Sequence, residues 1–162
     1  MTRSTKSLTY GCAEAPPAAD MVNHPPHYQT PSGIEAIEVM EQYGLGLHLG
    51  TAMKYLLRAH RKGNQKQDLE KAHWYVRRWE AFDCWDKDPC AQDGHDGGIC
   101  WHTPDEIVAA FGLAGTLAGE AAQHILEAAC FGEAETRIEN ARQALAYAII
   151  GAPTSREEGR SP

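Results

Sequence analysis

Nowhere in these 162 residues is there an apolar run of the roughly 20 positions that a membrane-spanning helix needs. The N-terminal stretch MTRSTKSLTYGCAEAPPAAD also lacks the apolar core of a secretory signal. A cytoplasmic protein without a membrane partner is therefore expected. Closely spaced cysteine pairs are missing too. The five cysteines are odd in number and irregular in spacing, so free thiols are expected rather than a disulfide framework. Cys84, Cys90, Cys100, His95 and His102 surround one loop, but structural zinc sites bring their ligands in close pairs such as C-x₂₋₄-C. The Asp-rich stretch DKDPCAQDGHDGG lacks the regular spacing of a calcium loop. There is no strand-like alternation and no repeat. No G-x-x-x-x-G-K-[ST] occurs, and GLAGTLAG has neither the lysine nor a preceding strand. No strand–turn–helix context presents a nucleophilic serine or cysteine. Whatever grips an anion here must do so with side chains.

An apolar fraction of 43% is enough for a core, and the length fits one domain or a domain with an appendage. The net charge of −7 hides an asymmetry: residues 54–80 carry +5 and the remainder −12. An acidic chain with one concentrated basic segment is a poor general nucleic-acid binder, and no stable nucleic-acid complex is expected. Something small and anionic fits better. A basic, solvated helix face explains the charge equally well.

The local signals describe an all-α protein of five or six helices, a small bundle with a second helical pair. Residues 1–20 read as a disordered leader. Ser32 with Glu35 forms a capping-box pattern, placing a first helix from about Gly33 to Tyr43. GLG at 44–46 breaks it. A second helix follows from about Leu47 to Lys62, ended by Gly63. Asn64 with Gln67 opens a third, to about Phe82. The core so defined spans 21–84, and a Gly/Asp/Cys-rich loop covers 85–103. Thr103, Pro104 and Glu106 mark the next helix start. An alanine-rich hairpin then spans 104–151, with a break near Gly112–Gly115 and a last helix over about 133–150. Residues 152–162 read as a disordered tail.

On the second helix, Lys54, Arg58, Arg61 and Lys62 share one arc opposite Leu49, Ala52, Leu56 and Ala59. On the third, Leu69, Ala72, Val76 and Trp79 form the core stripe, leaving Trp74 on the polar side between Lys71 and Arg78. Such a tryptophan could stack on a base, but tryptophan is enriched at subunit interfaces, so a homo-oligomer is the favoured expectation. Glu35, Glu38 and Glu41 line one side of the first helix, as carboxylates do that share a divalent metal in all-α nucleotide pyrophosphohydrolases. More often such a stripe is simply wet. Glu120, His124 and Glu127 form a weaker row of the same kind. The loop VNHPPHY ahead of the first helix holds His24, His27 and Tyr28 among prolines that limit its freedom.

The ordered set VNHPPHY, GIEAIEVMEQYG, GTAMKYLLRAHRKG and DLEKAHWYVRRW resembles a small phage nucleotide-kinase family over about residues 21–80. Thr51 stands where that family usually has asparagine, and the region after residue 85 has no counterpart in its core. The resemblance implies a phage or prophage protein, acting in the host cytoplasm, that moves a phosphoryl group onto deoxynucleoside monophosphates without a P-loop. On that reading His27 and Arg58 are catalytic, and Tyr28, Lys54, Lys62, Lys71 and Trp74 bind the nucleotide. No metal-binding residues are assigned, and Mg²⁺ is the candidate cofactor. Two alternatives stand beside it: a non-catalytic module that sequesters a nucleotide of host defence, and a metal-dependent nucleotide pyrophosphohydrolase using Glu35 and Glu38. Arg58→Ala is expected to remove binding while leaving the helical fold intact.

Overall fold

The computed structural model describes residues 22, 25–61, 63–81, 102–131 and 133–153. The leader at 1–20, His24, Lys62, the cysteines at 84, 90 and 100, His95 and most of the tail lie outside them. Six helices and no strand occur among the described residues, so the chain is all-α as the sequence indicates. They are α1 (Ala36–Gln42), α2 (Leu47–Arg58), α3 (Gln65–Ala81), α4 (Pro104–Ala110), α5 (Leu117–Phe131) and α6 (Ala134–Gly151).

The first helix begins later than Ser32 indicates. Ser32 Oγ lies 2.9 Å from Thr30 Oγ1, and the Ile34 amide donates to that same Thr30 oxygen at 2.9 Å. Gly33, at φ +86°, makes the turn that a side chain would strain. The bridge between Gln29 and Glu35 holds both residues extended, so Glu35 becomes the N-cap and its amide donates to Glu38 Oε2 at 2.9 Å. The capping pattern is real but starts three residues on.

Helix α2 is the centre of the molecule. Leu49, Ala52, Met53, Leu56 and Leu57 are buried, and α1, α3 and α5 all pack on it. That corrects the wheel reading of α2 as a helix with one open basic side. Arg58 is only 8% exposed, because the turn before α1 and the start of α3 close over it. Arg61 folds back as well, donating to the carbonyls of Gln29 and Ala110. Only Lys54 of the described members of that arc is exposed. In α3 the stripe Leu69, Ala72, Val76 and Trp79 is buried as its spacing indicates.

The second half starts where its cap residues place it. The Glu106 amide donates to Thr103 Oγ1 at 3.3 Å, and the Thr103 amide to Glu106 Oε2 at 2.8 Å. The bond from the Thr103 amide, and then the Thr103 hydroxyl, favour the ionised carboxyl and lower the Glu106 pKa. Helices α5 and α6 pack along their alanines, with Ala121, Ala122, Ala141 and Ala144 letting the backbones approach around Ile125, Leu126, Ile138 and Leu145. This hairpin shares its core with the first half: α5 lies on α2 and α6 on α3. Polar ties support the join. Arg142 Nε donates to Glu80 Oε1 at 3.2 Å, and Tyr43 Oη and Gln42 Nε2 both donate to the His102 carbonyl at 2.8 Å.

His73 sits at the α3–α6 contact with its Nε2 buried and lacking a partner among the described residues. Burial lowers its pKa, and Arg77 and Arg142 lower it further. Burial, then Arg61, lowers the pKa of His60 in the same way, against a backbone hydrogen bond with Phe111. The unfolded chain, with histidines near 6.5, binds protons that the native state refuses. Stability should therefore fall as pH drops through about 6.5 toward the lower native values. Urea unfolding between pH 7.5 and 5 should show that decline, and His73→Gln should flatten it. A pH slope unchanged in the variant would remove His73 from the effect.

Candidate functional site

The prolines ahead of α1 do more than limit a loop. Pro25 (φ −62°, ψ 128°) and Pro26 fix the entry to a 3₁₀ turn over Pro26–Tyr28, closed by the Tyr28 amide donating to the Pro25 carbonyl at 2.9 Å. His27 and Tyr28 leave this turn side by side, ring centroids 4.3 Å apart. Tyr28 thereby reaches the end of α2, where Arg58 Nη1 donates to its hydroxyl at 2.5 Å.

Arg58 is occupied on its other edge. Its Nε and Nη2 donate to the two oxygens of Asp68, each at 3.0 Å, in a bidentate pair below the surface. The guanidinium lies over Tyr55 at 4.6 Å from the ring centroid. Burial alone would lower its pKa, but Asp68 and then Tyr28 outweigh burial and raise it. Lys71 Nζ approaches the same carboxylate at 3.9 Å and the Tyr55 ring at 5.4 Å. Asp68, which opens the stretch DLEKAHWYVRRW, is a member to which the sequence reading gave no role in the site. Its signal was available: an acid in a basic segment, immediately before the core residue Leu69.

Beside this cluster, between the proline turn, α1 and α2, lies an open cleft of about 250 Å³. Pro25, Ile37 and Met40 give it apolar walls, and Tyr28, Lys54 and Glu35 supply its polar groups. Glu35 Oε1 accepts from Gln29 Nε2 at 2.8 Å. The Lys54 ammonium lies 5.4 Å from the centre of the Tyr28 ring and has no carboxylate partner among the described residues. The structure thus gathers Tyr28, Lys54, Arg58 and Lys71 around Tyr55 and Asp68, with His27 beside them on the turn. Trp74 is elsewhere. It stands on the outer side of α3, 53% exposed, under the guanidinium of Arg78 at 5.3 Å.

The carboxylate rows do not gather. Glu38 caps α1 through the Glu35 amide, and Glu127 pairs with Arg137 rather than joining Glu120. Among the described residues no group of three or more His, Cys, Asp or Glu side chains is placed to hold a metal ion. No described helix is long and apolar enough to cross a membrane.

Residues 22–77 match a family described as a protein of unknown function (DUF3310). No curated protein and no solved structure matches the chain. The function of the matched family is unknown, and nothing ties it to nucleotide kinases. The resemblance to a phage nucleotide-kinase family over residues 21–80 is therefore overturned.

Proposed function

We propose that the cleft beside Lys54 binds a small phosphorylated ligand of the nucleotide class, and that the protein acts as a binding module. One observation carries this reading: Lys54 is an exposed cation without a carboxylate partner among the described residues, at an apolar cleft whose walls suit a flat ring. A phosphate on Lys54 and a base against Ile37 and Met40 would use both features. Binding is favoured over turnover because phosphoryl transfer needs cations ringing the transferred group, whereas Arg58 is committed to Asp68 and Tyr28. In this reading Arg58 holds Tyr28 in place and Lys54 meets the ligand.

Thermal-shift titrations with nucleoside monophosphates, triphosphates and inorganic phosphate, with and without Mg²⁺, test the proposal. A ligand at 100 times its Kd stabilises the native state by about 2.7 kcal/mol, well within detection. Lys54→Met keeps the aliphatic stem and removes the charge, so affinity should fall about tenfold, on the order of 1.5 kcal/mol, with the fold unchanged. Equal binding by the variant, or no response to any nucleotide, ends the reading. Transfer of label from a triphosphate to a deoxynucleoside monophosphate would establish an enzyme instead, with His27, beside Tyr28 on the proline turn, the candidate acid or base. Mg²⁺-dependent release of pyrophosphate would select the pyrophosphohydrolase alternative.

A further inference from the structure

The outer side of α3 carries a feature that the cleft does not use. Glu70, Trp74 and Arg78 follow one another at four-residue spacing and lie on one ridge of the helix. Around them runs a groove of about 370 Å³, completed by His73, Arg77 and Ala81. Trp74 has more than half its surface in solvent, a large apolar exposure for a side chain with packed neighbours on either side. Arg77 and Arg78 are exposed. Glu70 is exposed too, and makes no hydrogen bond or ion pair among the described residues.

The order of charges on this ridge has a symmetry. An acid stands one turn before the tryptophan and a base one turn after it. If a second α3 is laid antiparallel on the first with the two-fold axis at Trp74, position 70 of one copy faces position 78 of the other. Each Glu70 then meets an Arg78, twice, and the two tryptophans meet at the axis. The ridge is therefore complementary to itself, which is the property that an isologous two-fold interface requires. Packing of four-residue ridges from both helices crosses them at about −50°, so contact concentrates near the crossing point, where Trp74 lies. A central aromatic between flanking charge pairs is also the usual anatomy of an interface core and rim.

We infer that the Glu70–Trp74–Arg78 ridge of α3 is a homodimer interface, occupied by the same ridge of a second copy in antiparallel orientation. This inference is independent of the cleft beside Lys54, which lies on other elements.

Charge reversal tests it without touching the core, because both charged residues are exposed. Glu70→Arg places arginine against arginine in both contacts, and Arg78→Glu places glutamate against glutamate. Each variant alone should run as a monomer of 17.8 kDa in sedimentation or light scattering, with unchanged helical circular dichroism. Mixed one to one, they should form a heterodimer, since every contact then joins opposite charges. The double variant, Glu70→Arg with Arg78→Glu, should recover self-association. Wild type that is monomeric at high micromolar concentration overturns the inference, as do single reversals that dimerise like wild type or a mixture that stays monomeric. A monomeric wild type that binds a fluorescent oligothymidylate through Trp74 would assign the ridge to nucleic acid and overturn it equally.

Discussion

Asp68→Ala is expected to lower the free energy of unfolding by about 3–5 kcal/mol, a large part of the stability of a domain this size. Asp68 is 3% exposed and receives both parallel N–H bonds of Arg58, which is 8% exposed. Removing the carboxylate leaves the guanidinium below the surface with the Tyr28 hydroxyl as its one side-chain hydrogen-bond partner among the described residues, and an unpaired buried charge costs more than the pair contributes. Arg58→Ala should be nearly as harmful, because it strands Asp68 with Lys71 at 3.9 Å as its nearest cation. This replaces the expectation that Arg58→Ala spares the fold. Replacing both partners, Arg58→Met with Asp68→Leu, should recover much of the loss, since matched apolar groups leave nothing unpaired. Urea melts of the three variants give the comparison. If Asp68→Ala unfolds like wild type, the pair is not a structural tie.

The same pair governs how binding data on this site should be interpreted. Arg58→Ala that fails to bind a nucleotide says little about contact with phosphate, because the variant also releases Tyr28 from the end of α2. Lys54→Met separates the two effects, since Lys54 is exposed and, apart from lying over the Tyr28 ring, makes no hydrogen bond or ion pair among the described residues. A binding defect there reports on the ligand.

The chain announces its helices where a single residue does one local job. Thr103 with Glu106 at α4 and Asn64 with Gln67 at α3 needed no tertiary information, because a cap satisfies amides of its own first turn. Ser32 misled for the complementary reason. Its hydroxyl is engaged by Thr30, and Thr30 is fixed by the turn that the Gln29–Glu35 bridge closes, which a four-residue pattern does not see. Arg58 is the larger case. A helical wheel sorts residues by side, and α2 is covered on more than one side, so a cation at its end can be buried when an acid ten residues on reaches it. Trp74 was legible because the core stripe of α3 is unambiguous and leaves it outside. The cleft was not, since Ile37, Met40, Pro25 and Lys54 come from three separate elements.

Gly119→Ala should destabilise the protein by about 2–4 kcal/mol, although helix propensity alone predicts a gain of nearly 1 kcal/mol. Gly119 lies in the first turn of α5, where its amide donates to Thr116 Oγ1 at 3.0 Å. A Cβ there would stand 2.9 Å from the Leu113 carbonyl carbon, closer still to its oxygen, and 3.0 Å from Val108 Cγ1. The obstruction is backbone, which no rotamer change can relieve. Nor can that carbonyl swing aside freely, because it accepts from the Thr116 amide at 3.0 Å and from the Thr116 hydroxyl at 2.7 Å. The methyl must break that turn or push α5 away from α4, and each lost hydrogen bond costs about 1 kcal/mol beyond the strain. Gly151→Ala is the matched control at the end of α6, with nothing within 4 Å of the new methyl, and it should be neutral or slightly stabilising. Opposite signs from the two substitutions in urea unfolding would show that α5 depends on a glycine for its close approach to residues 108–113. Equal effects would mean that the α4–α5 corner yields at little cost, and that Gly119 is an ordinary helical position.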